Sequence, residues 1–280
     1  EDIIAGISLY RPGAMDQIPM YIRNKHNPDK IRYMHPALEH ILDVTYGCII
    51  YQEQVMQIVR DLGGYSMGRS DIVRRAMGKK KADVMAKERE NFINGIVDEA
   101  GNILVAGCVR NGIPAKTAAE IFDEVAKFAG YGFNKSHAAA YAIIAYQTAW
   151  LKYYYPVEFS AALITSVMGN TKKVAEYIQH CKGIGIEVLP PDINESSVSF
   201  TVRENKIRFG LAAVKNVGIN AILSIIKARK ERSRFEGLYD FLQKIDYSVI
   251  NKRTVESLIK CGAFDRFGVY RSRMLAVYEK

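Results

Sequence analysis

No two cysteines of this chain stand close enough in sequence to make a metal or redox pair. Cys48, Cys108, Cys181 and Cys261 are widely separated and no CxxC occurs, which argues against a zinc site or a disulfide framework and leaves reduced cytosolic thiols. No Walker loop, GxSxG or HExxH is present, so three common signatures of nucleotide and hydrolytic chemistry are missing. Nor is there an Asp-x-Asp pair of the kind that grips two metal ions for nucleotidyl transfer. Asp123-Glu124 falls on a predicted helix, where adjacent side chains point apart. We therefore expect no metal site and no catalytic residue in this chain. The longest apolar stretch, Ala138–Trp150, is too short for a bilayer, is interrupted by Gln147 and Thr148, and is followed by Lys152. There is no internal repeat and no low-complexity tract. The chain opens on Glu1-Asp2-Ile3, without an initiator Met or a secretory leader. The expectation is a piece of a longer cytoplasmic protein that does not engage membranes.

What is present suits a soluble globular chain. Its 280 residues, 49% of them hydrophobic, are enough for one large or two ordinary domains with a real core. The formal net charge of +9 favours an anionic partner, nucleic acid ahead of membrane.

The most informative stretch is Phe128-Ala-Gly-Tyr-Gly-Phe-Asn-Lys-Ser-His137. Gly130 and Gly132 bracket Tyr131, allow backbone angles closed to other residues, and let a ligand approach the main chain. Asn134 or Ser136 caps a helix that runs to about Tyr155 and is stopped by Pro156. Lys135, Ser136 and His137 thus sit at a helix N-terminus, where free N–H groups and the positive end of the dipole bind phosphate. The plainer alternative is a capped turn leading into a core helix. Because Ala138–Trp150 is apolar nearly all round, that helix is expected to be central and buried.

A second stretch, Ser66–Lys81, carries six cations from Arg69 onward against one acid, Asp71. Ser70-Asp71 reads as an N-cap for a short helix bearing Arg74 and Arg75 that breaks near Gly78, before Lys79, Lys80 and Lys81. Apolar Ile72, Val73, Ala76 and Met77 anchor it, which fixes the cations better than a floppy tail does. Arginine's planar fork suits phosphate oxygens. The alternative is a solvated charged face.

The remaining chain reads as follows. Ile7–Gly13 is an extended piece entering a turn at Pro12-Gly13. A helix from about Tyr51 ends before Gly63-Gly64, with Gln52, Glu53, Gln54 and Gln57 read as a solvated polar face. His26, His35 and His40 lack metal spacing. Helices follow over 81–97 and 114–128, separated by a loop or hairpin at 99–108, and then near 157–168 and 171–183. Val198–Arg203 and Lys206–Gly210 alternate around Glu204-Asn205 as a β-hairpin. Helices resume over 219–229, 238–244, 251–261 and 271–278. Leu211–Leu223 resembles half of a helix-hairpin-helix, with Lys215, Asn216 and Gly218 at the turn. Asn216 stands where that motif's first glycine belongs, so a plain helix connection is preferred. The expected division is 1–183, a helical part; 184–210, an extended segment and hairpin; and 211–280, a second helical part.

Seven motifs follow one another in one family's order. They are Thr45-Tyr-Gly47, Tyr51-Gln-Glu-Gln-Val-Met-Gln-Ile58, Arg74-Arg-Ala-Met-Gly-Lys-Lys-Lys81, Phe128–His137, Tyr146-Gln-Thr148, Leu189-Pro-Pro-Asp-Ile-Asn194 and Cys261-Gly-Ala-Phe-Asp265. From Ile3 to about Arg273 the chain resembles the fingers domain of the bacterial C-family replicative polymerases, the DNA polymerase III α subunits of DnaE type. Asp98–Val109 departs from the pattern as a lineage insertion in a surface turn. The resemblance implies a mainly α fingers domain with one small β-hairpin near 198–210, part of a DNA-directed DNA polymerase. In that family the catalytic aspartates and their Mg²⁺ belong to a palm domain absent here, so the chain alone is expected to be inactive. Carried over, Arg74 and Arg75, with Lys79 nearby, would hold the triphosphate of the incoming dNTP. Lys135, Ser136 and His137 would line the pocket opposite, and Tyr131 and Gly132 would shape it against sugar or base. Arg69, Lys80, Lys81, Lys215, Asn216 and Gly218 are candidate DNA contacts. Implied partners are dNTP, primer-template DNA, the other domains of the subunit, the sliding clamp and further holoenzyme subunits. The rival reading is a stand-alone helical nucleic-acid-binding module without a nucleotide site.

Overall fold

A computed structural model describes residues 1–78 and 82–278. The fold is mainly α, with only two small sheets among the described residues. Two compact units divide the chain, Glu1–Gln147 and Thr148–Lys280.

The first unit opens with α1 (Asp2–Leu9), α2 (Ile18–His26) and the short α3 (Glu39–Leu42). The extended opening expected before Pro12 is instead the end of α1. Ala5 and Leu9, one turn apart, are buried with Tyr21, Ile50 and Tyr51, so tertiary packing overrides a weak local signal. The turn at Gly13 is present, with φ +87°. Then come α4 (Gln52–Gly63), closed by left-handed Gly64, α5 (Met67–Gly78) and α6 (Ala82–Asn94). The hairpin β1 (Ile96–Val97) and β2 (Ile103–Val105) follows, and then α7 (Ala115–Ala129). Val55, Ile58 and Leu62 of α4 recur at helical spacing and bury against Val73 and Met77 of α5, Phe92 of α6 and Ile121 and Phe122 of α7. α4 is thus the post against which the others stack.

Ser66, not Ser70, caps α5: its Oγ accepts the Arg69 N–H at 3.3 Å, while Ser70 is buried one turn inside the helix. α8 (Lys135–Tyr154) runs through the boundary between the units. It is not the buried helix expected. Only Ala138 and Ala142 are buried along it, and Ile143, Ile144 and Tyr146 are more than half exposed. No helix among the described residues is long and apolar enough to cross a membrane.

In the second unit α9 (Pro156–Ser166), α10 (Thr171–Gly183) and a three-stranded sheet share one core, built on Val157, Ile164, Val174, Phe200 and Ile207. The sheet holds β3 (Val188–Leu189), β4 (Thr201–Arg203) and β5 (Lys206–Arg208). β4 and β5 form the expected hairpin, turned by Glu204 and Asn205 at φ +50° and +59°, as a two-residue primed turn requires. β3 adds in parallel to β5; two residues of it are too few to show alternation in the sequence. α11 (Ile219–Glu231), α12 (Leu238–Lys244), α13 (Lys252–Lys260) and α14 (Arg271–Tyr278) enclose a second core around Ile222, Ile225, Phe241, Leu258 and Phe264.

Candidate functional site

The Gly130–Asn134 loop is fastened to the start of α4. Phe133 N–H donates to the Ile50 carbonyl at 3.0 Å, and Gln52 N–H donates to the Phe133 carbonyl at 2.9 Å. The Gln52 side-chain amide donates to the Gly132 carbonyl at 3.0 Å. Neither Gly130 nor Gly132 takes the left-handed angles expected of them. Gly132 instead stands close to α4, where a Cβ would come to a tight 3.2 Å from Gln52 Cγ. Tyr131 lies on Gly13, where a Cβ would meet its ring at 2.3 Å. Arg11 donates to the Tyr131 carbonyl at 2.6 Å and stacks over the Phe133 ring at 4.8 Å.

Asn134 caps α8, its Oδ1 accepting the His137 N–H at 2.8 Å. The Glu53 carboxylate accepts the Lys135 N–H at 3.1 and 3.2 Å and the Asn134 side-chain amide at 3.1 Å. The main-chain donors of Lys135 and His137, expected to be free for phosphate, therefore already have protein acceptors. The side chains are what this turn presents. Lys135 Nζ stands 3.1 Å from the Glu1 carboxylate and 5.2 Å over the Tyr51 ring. Ser136 and His137 are exposed, and the imidazole packs between Phe133 and Tyr141, centroids 5.5 and 4.9 Å away.

On α5 both arginines converge on one carboxylate. Arg74 donates Nε and Nη2 to Asp71 Oδ1 at 3.0 and 2.8 Å, and Arg75 Nη2 lies 2.8 Å from Oδ2. The hydrogen bonds from Arg74, with Arg75 beside them, hold the Asp71 carboxyl below its ordinary range. The Arg74 side chain is 17% exposed and that of Arg75 66%. Arg69 stands 3.5 Å from Glu88 and stacks on Tyr65. Lys79, Lys80 and Lys81 lie outside the described residues. Gly78 is close enough to α7 that a Cβ on it would be 3.6 Å from the Ala129 carbonyl, so α5 ends beside the residue that precedes Gly130.

In the second unit, Val217 N–H closes a turn onto the Val214 carbonyl at 3.3 Å. Asn216 sits in it with φ +67°. Its carbonyl accepts from Thr254 Oγ1 and its side chain donates to Ser257 Oγ, so the turn is tied to α13. Lys215, Asn216 and Gly218 are exposed, and Gly218 precedes α11.

Residues 1–100 match the bacterial DNA polymerase III alpha subunit finger domain family, and residues 185–274 match the helix-hairpin-helix motif family. The whole chain aligns at 48% identity with the DNA polymerase III subunit alpha of Thermus aquaticus, covering 22% of that protein. With the subunit of Bacillus subtilis strain 168 identity is 44%, over 99% of this chain and 24% of the relative. With that of Vibrio cholerae it is 46%, again over 99% and 24%.

From end to end this chain is similar to one segment of DNA polymerase III alpha subunits.

It spans roughly a quarter of the relatives' length. Glu53, Arg74 and Arg75 fall inside the finger-domain match, whereas Tyr131–His137 lie beyond it and within the full-length alignments. The helix-hairpin-helix match overturns the preference for a plain helix connection after Leu211. Asn216 can stand where the motif's glycine belongs because asparagine enters the left-handed region at lower cost than most residues that carry a side chain. What the sequence reading missed at the site is the role of the glutamine-glutamate run. Gln52 and Glu53 hold the loop. Gln54 is buried, accepting from Ile50 and Tyr51 N–H and donating to the Ile41 carbonyl and Thr45 Oγ1. Their signal was a run of polar residues crowded into the first turn of an otherwise amphipathic helix.

Proposed function

We propose that this segment acts in a replicative DNA polymerase, where it grips the triphosphate of the incoming dNTP and orients it against the template. The observation that carries this reading is the shared scaffold. α4 bears the Tyr131–His137 loop at its N-terminus and packs α5 along its flank, and Gly78 stands against Ala129. Cations from two distant stretches are thereby built on one rigid element. Arg74 and Arg75, followed in sequence by Lys79, take phosphate oxygens. Lys135, Ser136 and His137 serve the other side of the nucleotide, and Tyr131 and Gly132 shape the surface against sugar or base. Their contribution is positional and electrostatic, since attack by the primer 3′-hydroxyl needs a fixed triphosphate and cations to meet the charge on the leaving pyrophosphate. The described residues do not fit Mg²⁺: Asp71 is committed to two arginines and Glu53 to the α8 N-terminus, and no group of three potential ligands gathers among them. We assign the Mg²⁺ of the reaction to carboxylates elsewhere in the subunit, and expect this segment alone not to extend a primer.

In the second unit the helix-hairpin-helix turn, with Lys215, Asn216 and Gly218, is assigned to a DNA phosphate, and Arg69, Lys80 and Lys81 to further backbone contacts. Other parts of the α subunit cover the exposed apolar residues of α8, and the complete enzyme works with a sliding clamp in the cytoplasm. Hydrogen exchange on the full-length subunit with primer-template tests the nucleotide assignment. Segments 67–78 and 130–137 should gain protection together, and only when the complementary dNTP is added. Full protection with DNA alone, or protection of one segment without the other, refutes a shared nucleotide site and favours a nucleic-acid-binding module.

A further inference from the structure

We propose that Glu53 is a positioning residue, a resident anion at the N-terminus of α8 that fixes the Tyr131–His137 loop against α4. Its consequence for nucleotide binding rests on the reading above. Gln52 and Glu53 are neighbours in the first turn of α4, and between them they hold four consecutive loop residues. Gln52 binds the carbonyls of Gly132 and Phe133. Glu53 binds the Asn134 side chain and the Lys135 main chain. Both carboxylate oxygens lie within hydrogen-bonding distance of the Lys135 N–H, at 3.1 and 3.2 Å, where the positive end of the helix dipole favours a negative charge. The same carboxylate lies in the first turn of its own helix, so it stabilises two helix starts at once. With this amide engaged, the loop meets a nucleotide through the Lys135 ammonium, the Ser136 hydroxyl and the His137 ring, and Glu53 sets where those groups stand.

Two substitutions in the full-length α subunit test this. Glu53→Ala removes both acceptor and charge. Exchange of the 130–137 amides should rise about tenfold or more, with segment 55–62 unchanged, as loss of the charge-assisted hydrogen bonds from the Lys135 N–H and the Asn134 amide implies. The dNTP KM should rise by a similar factor, about tenfold, with kcat within about threefold, because the loop's cations lose their placement. Glu53→Gln keeps an acceptor of the same reach and loses the charge, so both readouts should fall between wild type and alanine. If Glu53→Ala does not fold, the glutamine variant decides alone, with loop exchange raised about two- to fivefold. Wild-type exchange in 130–137 for every variant that folds overturns the positioning role. Faster loop exchange with an unchanged KM upholds the clamp and removes the loop from the nucleotide site, so the two readings fail separately.

Discussion

Replacing Arg75 by alanine in the full-length α subunit removes an exposed guanidinium paired with Asp71 one turn back on the same helix. An exposed pair of that spacing contributes about 0.3–0.5 kcal/mol, so folding should hardly register the change and the melt should shift by about 2 °C or less. Catalysis should register it strongly. A fixed donor aimed at charge that develops in the transition state is worth about 2–4 kcal/mol, or about 10²–10³ in kcat/KM. Because the second figure exceeds the first several-fold, lost activity at a preserved melting temperature cannot be charged to unfolding. Arg75→Lys should recover part of the loss, keeping the charge and losing the fork. Arg74 is the poorer test: its side chain is only 17% exposed and bound twice to Asp71, so alanine there also removes packing. The assay is single-nucleotide incorporation on a primed template with dNTP titrated, beside a thermal melt of each variant. A kcat/KM for Arg75→Ala within about threefold of wild type, at an unchanged melt, would refute the assignment of this guanidinium to the triphosphate.

Gln54→Leu should destabilise the first unit by about 3 kcal/mol, because the buried Ile50 and Tyr51 N–H groups lose their shared acceptor; a melting temperature within a degree of wild type would contradict that network. Asn216→Gly should be tolerated, whereas Asn216→Val should cost about 2 kcal/mol by forcing a β-branched residue into the left-handed region. Equal melting of the two would mean that the turn relaxes to another conformation.

The elements whose signals are local were legible in the sequence. α4 and α7 show apolar residues at helical spacing, and each ends where a glycine follows or closes its last turn. The β4–β5 turn is marked by Glu204-Asn205, and Asn134 caps α8 through a side chain that accepts the His137 N–H. What was not legible depends on partners far along the chain. Glu53 lies more than eighty residues from the amide it holds, and the polar run at the start of α4 marks a crowded helix start without saying which distant groups it meets. Ser70-Asp71 resembles a cap, yet the Arg69 N–H is met by Ser66 three residues earlier, and Asp71 is left to bind two arginines. Arg74 and Arg75 of α5 thus share an acid that the sequence shows only as a cap and as the one opposing charge of the stretch.

α8 carries the larger lesson. Its composition states that both faces avoid water, and in a self-sufficient domain that predicts a central position. Ile143, Ile144 and Tyr146 are instead exposed by 61, 54 and 60%. Apolar side chains left open over several turns destabilise a monomer in water and belong to surfaces that meet another partner. Hydrophobicity in a sequence thus records that a residue is to be covered and is silent about what covers it. The same limit applies at the N-terminal end of this helix. Lys135, Ser136 and His137 announce an affinity for anions, and Glu53 is the anion the fold itself supplies to the adjoining main chain. A ligand arriving there meets a turn already set in place, whose side chains can act on phosphate without first having to order the backbone that bears them.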